Sequence, residues 1–307
     1  MSLVERTLKK LQESRAAAAS PDSRAPATPA AGATAAAAPA YRAAAPQGEH
    51  VLVPVETTRV VTINRAKLRS LDLLPPPEAE RQLKTQYQHI KRPLVASVLA
   101  RNPALGDASH VIMMASALSG EGKTFTSLNL ALSLALEKDF EVLLVDADVR
   151  KPHVSRLFGV EQERGLIDLL LDKTLRTSQV ILRTDVPGLS LMPAGHQIET
   201  ATELLASDRM AEVIAQLAAP DGRRIVLLDS PPLLLSTESH ALAASAGQVV
   251  LVVRAEVTSQ AAVLDAINSI VAGKPVSLIL NQTSAPPASG YYGYGSYGDV
   301  SAPKSGS

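Results

Sequence analysis

The chain has 307 residues, with 30 Lys plus Arg set against 30 Asp plus Glu, and no cysteine. That balance leaves no overall charge bias pointing to nucleic acid or an anionic membrane, and the missing thiols exclude disulfides and thiolate metal sites. With 46% hydrophobic but only 3% aromatic residues, Ala, Leu and Val have to fill the core.

Residues 1–15, "MSLVERTLKKLQESR", predict a short amphipathic helix with Leu3, Val4, Leu8 and Leu11 on one face and Ser2 and Glu5 as a capping box. Residues 16–49 are rich in Ala, Pro and Ser and are expected to be a disordered linker, because repeated Pro breaks helices and Ala buries too little surface to offset ordering entropy. A folded domain is expected over 50–283, opening on the β-like runs "HVLVPV" and "RVVTI" and a helix within "PPPEAERQLKTQYQHIKRPLVASVLA". Strands are then predicted at 111–116, 141–146, 189–193, 224–229, 248–253 and 276–281, with helices at 123–137, 199–219 and 259–272. Short continuous apolar strands alternating with helices imply a mostly parallel sheet covered on both faces, an α/β fold. Residues 284–307 lose all periodicity and read as a flexible Tyr/Gly-rich tail. No run reaches about 18 apolar residues and the N-terminus lacks a signal-peptide core, so a cytoplasmic chain is expected.

One strand-to-helix corner carries phosphate chemistry. "ALSGEGKT" (117–124) fits the phosphate-loop pattern except that Ala117 replaces the first glycine. The amides of Ser119, Gly120, Glu121, Gly122 and Lys123 at a helix start form a concave nest for phosphate oxygens. Lys123 is placed to meet the β- and γ-phosphates, the Thr124 hydroxyl to join a Mg²⁺ shell, and Phe125 continues the expected nucleotide contact. "EVLLVDADVRKPHV" sets Asp146 and Asp148 at the carboxyl end of one predicted strand, and "RRIVLLDSPP" does the same with Asp229. In an open parallel sheet ligands gather at those ends, so the aspartates and Lys123 are expected to converge on Mg²⁺-ATP. One such Asp alone reads more simply as a turn or helix cap. The six histidines (His50, His89, His110, His153, His196 and His240) show no metal-ligand spacing.

"SGEGKT", "VLLVDADVRKP" and "IVLLDSPP" resemble the Walker A, A′ and B motifs of the bacterial tyrosine kinases of the CpsD/CapB type, most of all the exosortase-associated autokinases. The segments "IKRPL", "GLIDLL" and "ATELLAS" are similar too. The resemblance implies a P-loop fold like that of the MinD/ParA ATPases. It also implies that Asp146 takes the proton of an incoming tyrosine, that Asp148 and Asp229 hold Mg²⁺ together with Thr124, and that Asn281 reads adenine. It further implies a homo-oligomer, a membrane activator of the chain-length-determinant type that brings the chain to the inner membrane, a cognate phosphotyrosine phosphatase, and control of exopolysaccharide synthesis and export. Arg150 is a phosphate or interface contact or a solvated surface residue. The tail supplies the expected acceptors: Tyr291, Tyr292, Tyr294 and Tyr297 lie among glycines, where burial does not explain aromatics. Two features depart from expectation or allow a rival. The family's E-x-x-R-x-x-R oligomerisation signature aligns with Thr85, Gln88 and Lys91 and is not matched. A MinD/ParA-like positioning ATPase is the alternative, although those proteins carry a signature lysine where this chain has Leu118; a non-catalytic nucleotide-binding regulator of export is a third reading.

Overall fold

The computed structural model describes residues 60–100, 106–218, 223–271 and 273–283. In chain order they form β1 (Val60–Val61), α1 (Arg65–Ser70), α2 (Glu80–Leu99), β2 (Val111–Ser116), α3 (Lys123–Leu134), β3 (Glu141–Asp146), α4 (His153–Leu157) and α5 (Leu166–Leu171). There follow β4 (Leu182–Thr184), β5 (Leu189–Met192), α6 (Ala201–Leu205), α7 (Asp208–Leu217), β6 (Arg224–Asp229), α8 (Thr237–Ser245), β7 (Gln248–Arg254), α9 (Gln260–Asn268) and β8 (Val276–Asn281).

The eight strands make one sheet in the order β1-β4-β5-β3-β6-β2-β7-β8. Every pairing is parallel except β4 with β5. β2, β3, β6 and β7 form its middle and read as unbroken apolar runs because helices cover both faces, which leaves no solvent side for polar residues. Ile112, Met114, Leu144, Leu227, Val250 and Val252 from these strands pack against Leu128, Ala131 and Leu134 of α3 in one core. Each fully buried Val, Leu, Ile or Met side chain among them contributes about 1.5–3 kcal/mol.

α2 lies along α3 and buries Tyr87, Lys91, Leu94 and Val98, a single stripe at helical spacing. Lys91 is the surprise in that stripe. Its Nζ donates to the Ser133 carbonyl (3.0 Å) and pairs with Glu137 Oε1 (2.6 Å), so the ammonium closes the C-terminal end of α3. The residue aligned with the last basic position of the oligomerisation signature is therefore engaged within its own subunit.

Strand predictions agree with the structure to within a residue or so, and the helix ends are trimmed. The helix expected at 199–219 is two, α6 and α7. Ser207 takes an extended backbone between them, and its hydroxyl turns back to the Leu204 carbonyl at 2.6 Å. β4 was not foreseen: three residues carry no periodicity, and their strand exists only because β1 and β5 flank it. The predicted helix at 1–15, the linker, "HVLVPV" and the tyrosine cluster lie outside the described residues. No helix among the described residues is long and apolar enough to cross a membrane.

Candidate active site

β2 ends at Ser116, and α3 begins at Lys123 with Gly122 as its N-cap in the left-handed region (φ 86°). Gly120 shares that conformation (φ 81°), which few side chains other than glycine's hydrogen tolerate. Ala117, at the place of the usual first glycine, is wholly buried, and its methyl group is accommodated. The Glu121 carboxylate folds inward, accepting the Leu118 amide (2.6 Å) and the Thr258 hydroxyl. From β8, Asn281 Nδ2 donates to the Glu121 carbonyl at 2.9 Å. Glu121 and Asn281 thus brace the loop from behind, and a Cβ on Gly122 would stand 2.0 Å from that same Nδ2.

The carboxylates come from neighbouring strands. Asp146 and Asp229 are register partners across β3 and β6, so both side chains leave the same face of the sheet at one level. Asp229, fully buried, accepts from Lys123 Nζ (3.0 Å) and Ser127 Oγ (2.8 Å) on Oδ1 and from Thr124 Oγ1 (2.9 Å) on Oδ2. Asp146 is equally buried; its Oδ2 accepts the Ser155 amide and hydroxyl, both at 2.7 Å. Its Oδ1 has no hydrogen-bond partner among the described residues. Burial, above all, pushes the Asp146 carboxyl up to about 7 against the Ser155 hydrogen bonds, with Asp229 and Asp148 adding to the rise. Asp148 is only half-buried, and its Oδ1 accepts the Lys151 amide at 3.0 Å, the turn-capping role expected of a lone Asp. Its carboxyl is also raised, chiefly by burial.

A groove of about 910 Å³ opens in front of the loop, lined by Ser119 to Phe125, Asp148 and Asn281 among the residues singled out by sequence. Asp146 and Asp229 are not on its wall; Lys123 and Thr124 cover Asp229. Arg150, Lys151, His153, Leu235, Ser236 and Gln282 also face the groove. Of these, Arg150 was singled out as a phosphate or interface contact, and Lys151 and His153 could have been found from their closeness to the A′ aspartates. Asp72 and Leu73 line it as well, without any motif to announce them: Asn129 Nδ2 on α3 fixes the Leu73 carbonyl at 2.9 Å, a long-range contact no local pattern encodes.

Among the described residues no three carboxylate or imidazole side chains approach closely enough to hold a metal alone. The oxygens of Thr124 and Asp229, 2.9 Å apart, with the Asp148 carboxylate on the groove wall, fit a hard divalent cation that would complete its shell with phosphate and water, and the unpartnered Asp146 Oδ1 lies beside them.

Sheet, loop and aspartates define the class: a nucleotide-binding α/β domain with its site at the carboxyl ends of β2, β3 and β6. Residues 109–274 match the AAA domain family, and the chain belongs to it. Within that class it groups with the bacterial tyrosine-protein kinases. EpsB of Ralstonia nicotianae, named as a tyrosine-protein kinase, is 34% identical over 189 residues, 61% of this chain and 24% of EpsB. The tyrosine-protein kinase Etk of Escherichia coli K12 is 32% identical over 146 residues, 48% of this chain and 20% of Etk. The crystal structure of the VpsO kinase domain is 31% identical with a TM-score of 0.52, covering 64% of this chain and 99% of that domain. The chain spans a quarter or less of the length of EpsB and Etk.

Proposed function

We propose that this chain is an ATP- and Mg²⁺-dependent protein-tyrosine kinase that phosphorylates Tyr291, Tyr292, Tyr294 and Tyr297 in the tail of a neighbouring copy. The observation that carries the reading is the Lys123–Asp229–Thr124 contact with Asp146 beside it: a phosphate-binding ammonium, a cation-binding oxygen pair and a proton acceptor at one end of one sheet. In this reading the loop amides and Lys123 bind the β- and γ-phosphates and neutralise their charge. Mg²⁺, held by Thr124, Asp148 and Asp229, would supply charge neutralisation to the phosphates. Lys123 leaves Asp229 as phosphate arrives and opens the way to the carboxylates behind it. Asp146 takes the phenolic proton as the tyrosine oxygen bonds to the γ-phosphorus and the bond to ADP breaks. A free phenol with a pKa near 10 needs such an acceptor, and Asp146, raised to about 7, is nearer to matching it than an ordinary carboxylate.

The tail suits the acceptor role because its sequence sets four tyrosines among Gly and Ser, whereas Tyr87 is buried in the core. A membrane activator of the chain-length-determinant type, a homo-oligomer, a cognate phosphatase and control of exopolysaccharide synthesis and export at the inner face of the membrane complete the proposal. The test is incubation of the full chain with Mg²⁺-ATP, followed by anti-phosphotyrosine detection and mass-spectrometric site mapping. Phosphate on the tail tyrosines is expected, and it should disappear in Lys123→Met. ATP hydrolysis without any phosphotyrosine would overturn the kinase reading in favour of a positioning ATPase. In a mixture of Lys123→Met chain with tail-deleted chain, the former should be labelled; if it is not, transfer between copies is ruled out.

A further inference from the structure

Arg150 stands at the groove wall, and its side chain is 74% exposed. An arginine so exposed ordinarily loses side-chain entropy if it is held, and gains little from a surface ion pair. Here it is held nonetheless. Its Nε lies 3.2 Å from Oε1 of Glu238, a carboxylate whose side chain is only 2% exposed. The same Oε1 accepts Thr202 Oγ1 at 2.9 Å, and Oε2 accepts the Ser236 hydroxyl. The Arg150 carbonyl is fixed in turn by Gln197 Nε2 at 3.1 Å.

Glu238 has a local explanation that covers only part of this. It sits in the first turn of α8, where a carboxylate interacts favourably with the helix dipole and with the preceding Ser236. That role requires neither Thr202, which comes from α6, nor Arg150, which comes from the loop after β3. The carboxylate joins three segments that share no hydrogen-bond ladder: the A′ loop, the α6 "ATELL" turn and the loop after the B-motif aspartate. Burial would raise its carboxyl, yet the hydrogen bonds from Ser236, its own amide and Thr202, with the Arg150 charge, hold it below the usual range.

The consequence for Arg150 is geometric. The ion pair tethers Arg150 by its Nε side to a buried carboxylate 3.2 Å away, and a guanidinium tethered there has terminal Nη groups able to form paired hydrogen bonds to a phosphate. Lys151 and His153 line the same wall. We infer that Glu238 is a positioning residue that makes Arg150 a preorganised receptor for a phosphate group at the mouth of the nucleotide groove. The phosphate has two chemical sources, the terminal phosphate of the nucleotide or the aryl phosphate of a tail tyrosine already modified. This deepens the kinase reading and rests on it for the second source.

The test uses the full chain and two ligands: a non-hydrolysable ATP analogue with Mg²⁺, and a synthetic peptide of residues 288–300 with and without phosphate on Tyr292. Glu238→Ala is expected to weaken one of the two phosphate ligands about 10-fold and to leave the unphosphorylated peptide unchanged. Arg150→Ala should produce the same loss, and the double variant no more than either, because both remove one device. Glu238→Gln should restore binding to within about twofold of the original chain. Its amide oxygen can take the place of Oε1 for both Arg150 and Thr202, while the Ser236 hydroxyl turns to accept from the amide nitrogen. The urea-unfolding midpoint of Glu238→Ala, compared with that of the original chain, separates positioning from misfolding. Loss confined to the analogue assigns the phosphate to the nucleotide, and loss confined to the phosphopeptide assigns it to the acceptor. Additive losses in the double variant, or unchanged affinity for both ligands in a folded Glu238→Ala chain, would overturn the inference. Binding is read without turnover, so a chain that hydrolyses ATP but labels no tyrosine removes the kinase reading and leaves this result to stand or fall on its own.

Discussion

Two glycines of the phosphate loop offer a controlled comparison, because they share a backbone conformation and differ in what surrounds them. Gly120 and Gly122 have φ of 81° and 86°, so alanine at either costs about 1–2 kcal/mol for entering the left-handed region. Around Gly120 an added Cβ meets nothing within 4 Å, whereas at Gly122 it would lie 2.0 Å from Asn281 Nδ2 and 3.3 Å from Asn281 Cγ. No relaxation of a few tenths of an ångström removes a 2.0 Å contact, so the Asn281 side chain must leave and forfeit its hydrogen bond to the Glu121 carbonyl. Losing that bond adds about 1 kcal/mol. Gly120→Ala should therefore destabilise the chain by about 1–2 kcal/mol and Gly122→Ala by about 2–3 kcal/mol, read as midpoint shifts in urea unfolding at constant slope. Asn281→Ala takes away the obstructing atoms. In that background Gly122→Ala should cost no more than Gly120→Ala does in the original chain, a coupling of about 1 kcal/mol. Equal losses at the two glycines, or strict additivity of Gly122→Ala with Asn281→Ala, would refute the claim that β8 braces the loop through Asn281.

Three further outcomes follow from the same contacts. Lys123→Met leaves the buried Asp229 with only its hydroxyl partners, and it should lower affinity for an ATP analogue by at least tenfold in a titration while costing about 2 kcal/mol in urea unfolding. Lys91→Met should cost about 2–3 kcal/mol, because the α3 terminus loses its ammonium and Glu137 its partner, yet leave the mass seen by light scattering unchanged; a fall in mass would show Lys91 acting between subunits. The Asp168 carboxyl is held low: burial raises it, but the Gly165 amide and the His196 ring and amide outweigh that effect. Its contribution is complete above the unfolded-state carboxylate pKa of about 4 and is lost as pH falls through the lower folded value, so Asp168→Asn should flatten the acid limb of stability against pH; an unchanged limb would show that these bonds do not favour the ionised form.

The middle of the sheet was legible because a strand covered on both faces has to be apolar throughout, and "VIMMA", "VLLV" and "IVLL" are recognisable on that ground alone. The loop was legible because positive φ, close backbone approach and a helix start restrict which residues can stand there. The depth of the carboxylates was not. Sequence puts Asp146, Asp148 and Asp229 alike at strand ends, but register sends Asp146 and Asp229 into the interior and leaves Asp148 at the wall, bonded to its own turn. Nor does any local pattern distinguish Glu238 from an ordinary first-turn acid, since its buried partners come from α6 and the A′ loop. Spacing specifies which residues reach the end of a strand; it says nothing of which neighbours will cover them.

The arrangement of Lys123 is the point at which fold and chemistry constrain each other. Asp146 and Asp229 are adjacent on one face of the sheet, fully buried, and near enough that the Asp229 charge raises the cost of ionising Asp146. Without a cation such a pair is unfavourable. Two hydroxyls and the Lys123 ammonium meet the demand of Asp229, whereas Asp146 is left with one oxygen unpartnered. Buried ion pairs are weak sources of stability, and well-packed apolar residues often replace them at no cost, so a demand for stability alone does not account for the aspartates. A site that has to accept a divalent cation and triphosphate does account for them. In the proposed function the ammonium that satisfies Asp229 is the group a phosphate would attract, and a divalent cation would supply the positive charge that Lys123 now gives Asp229.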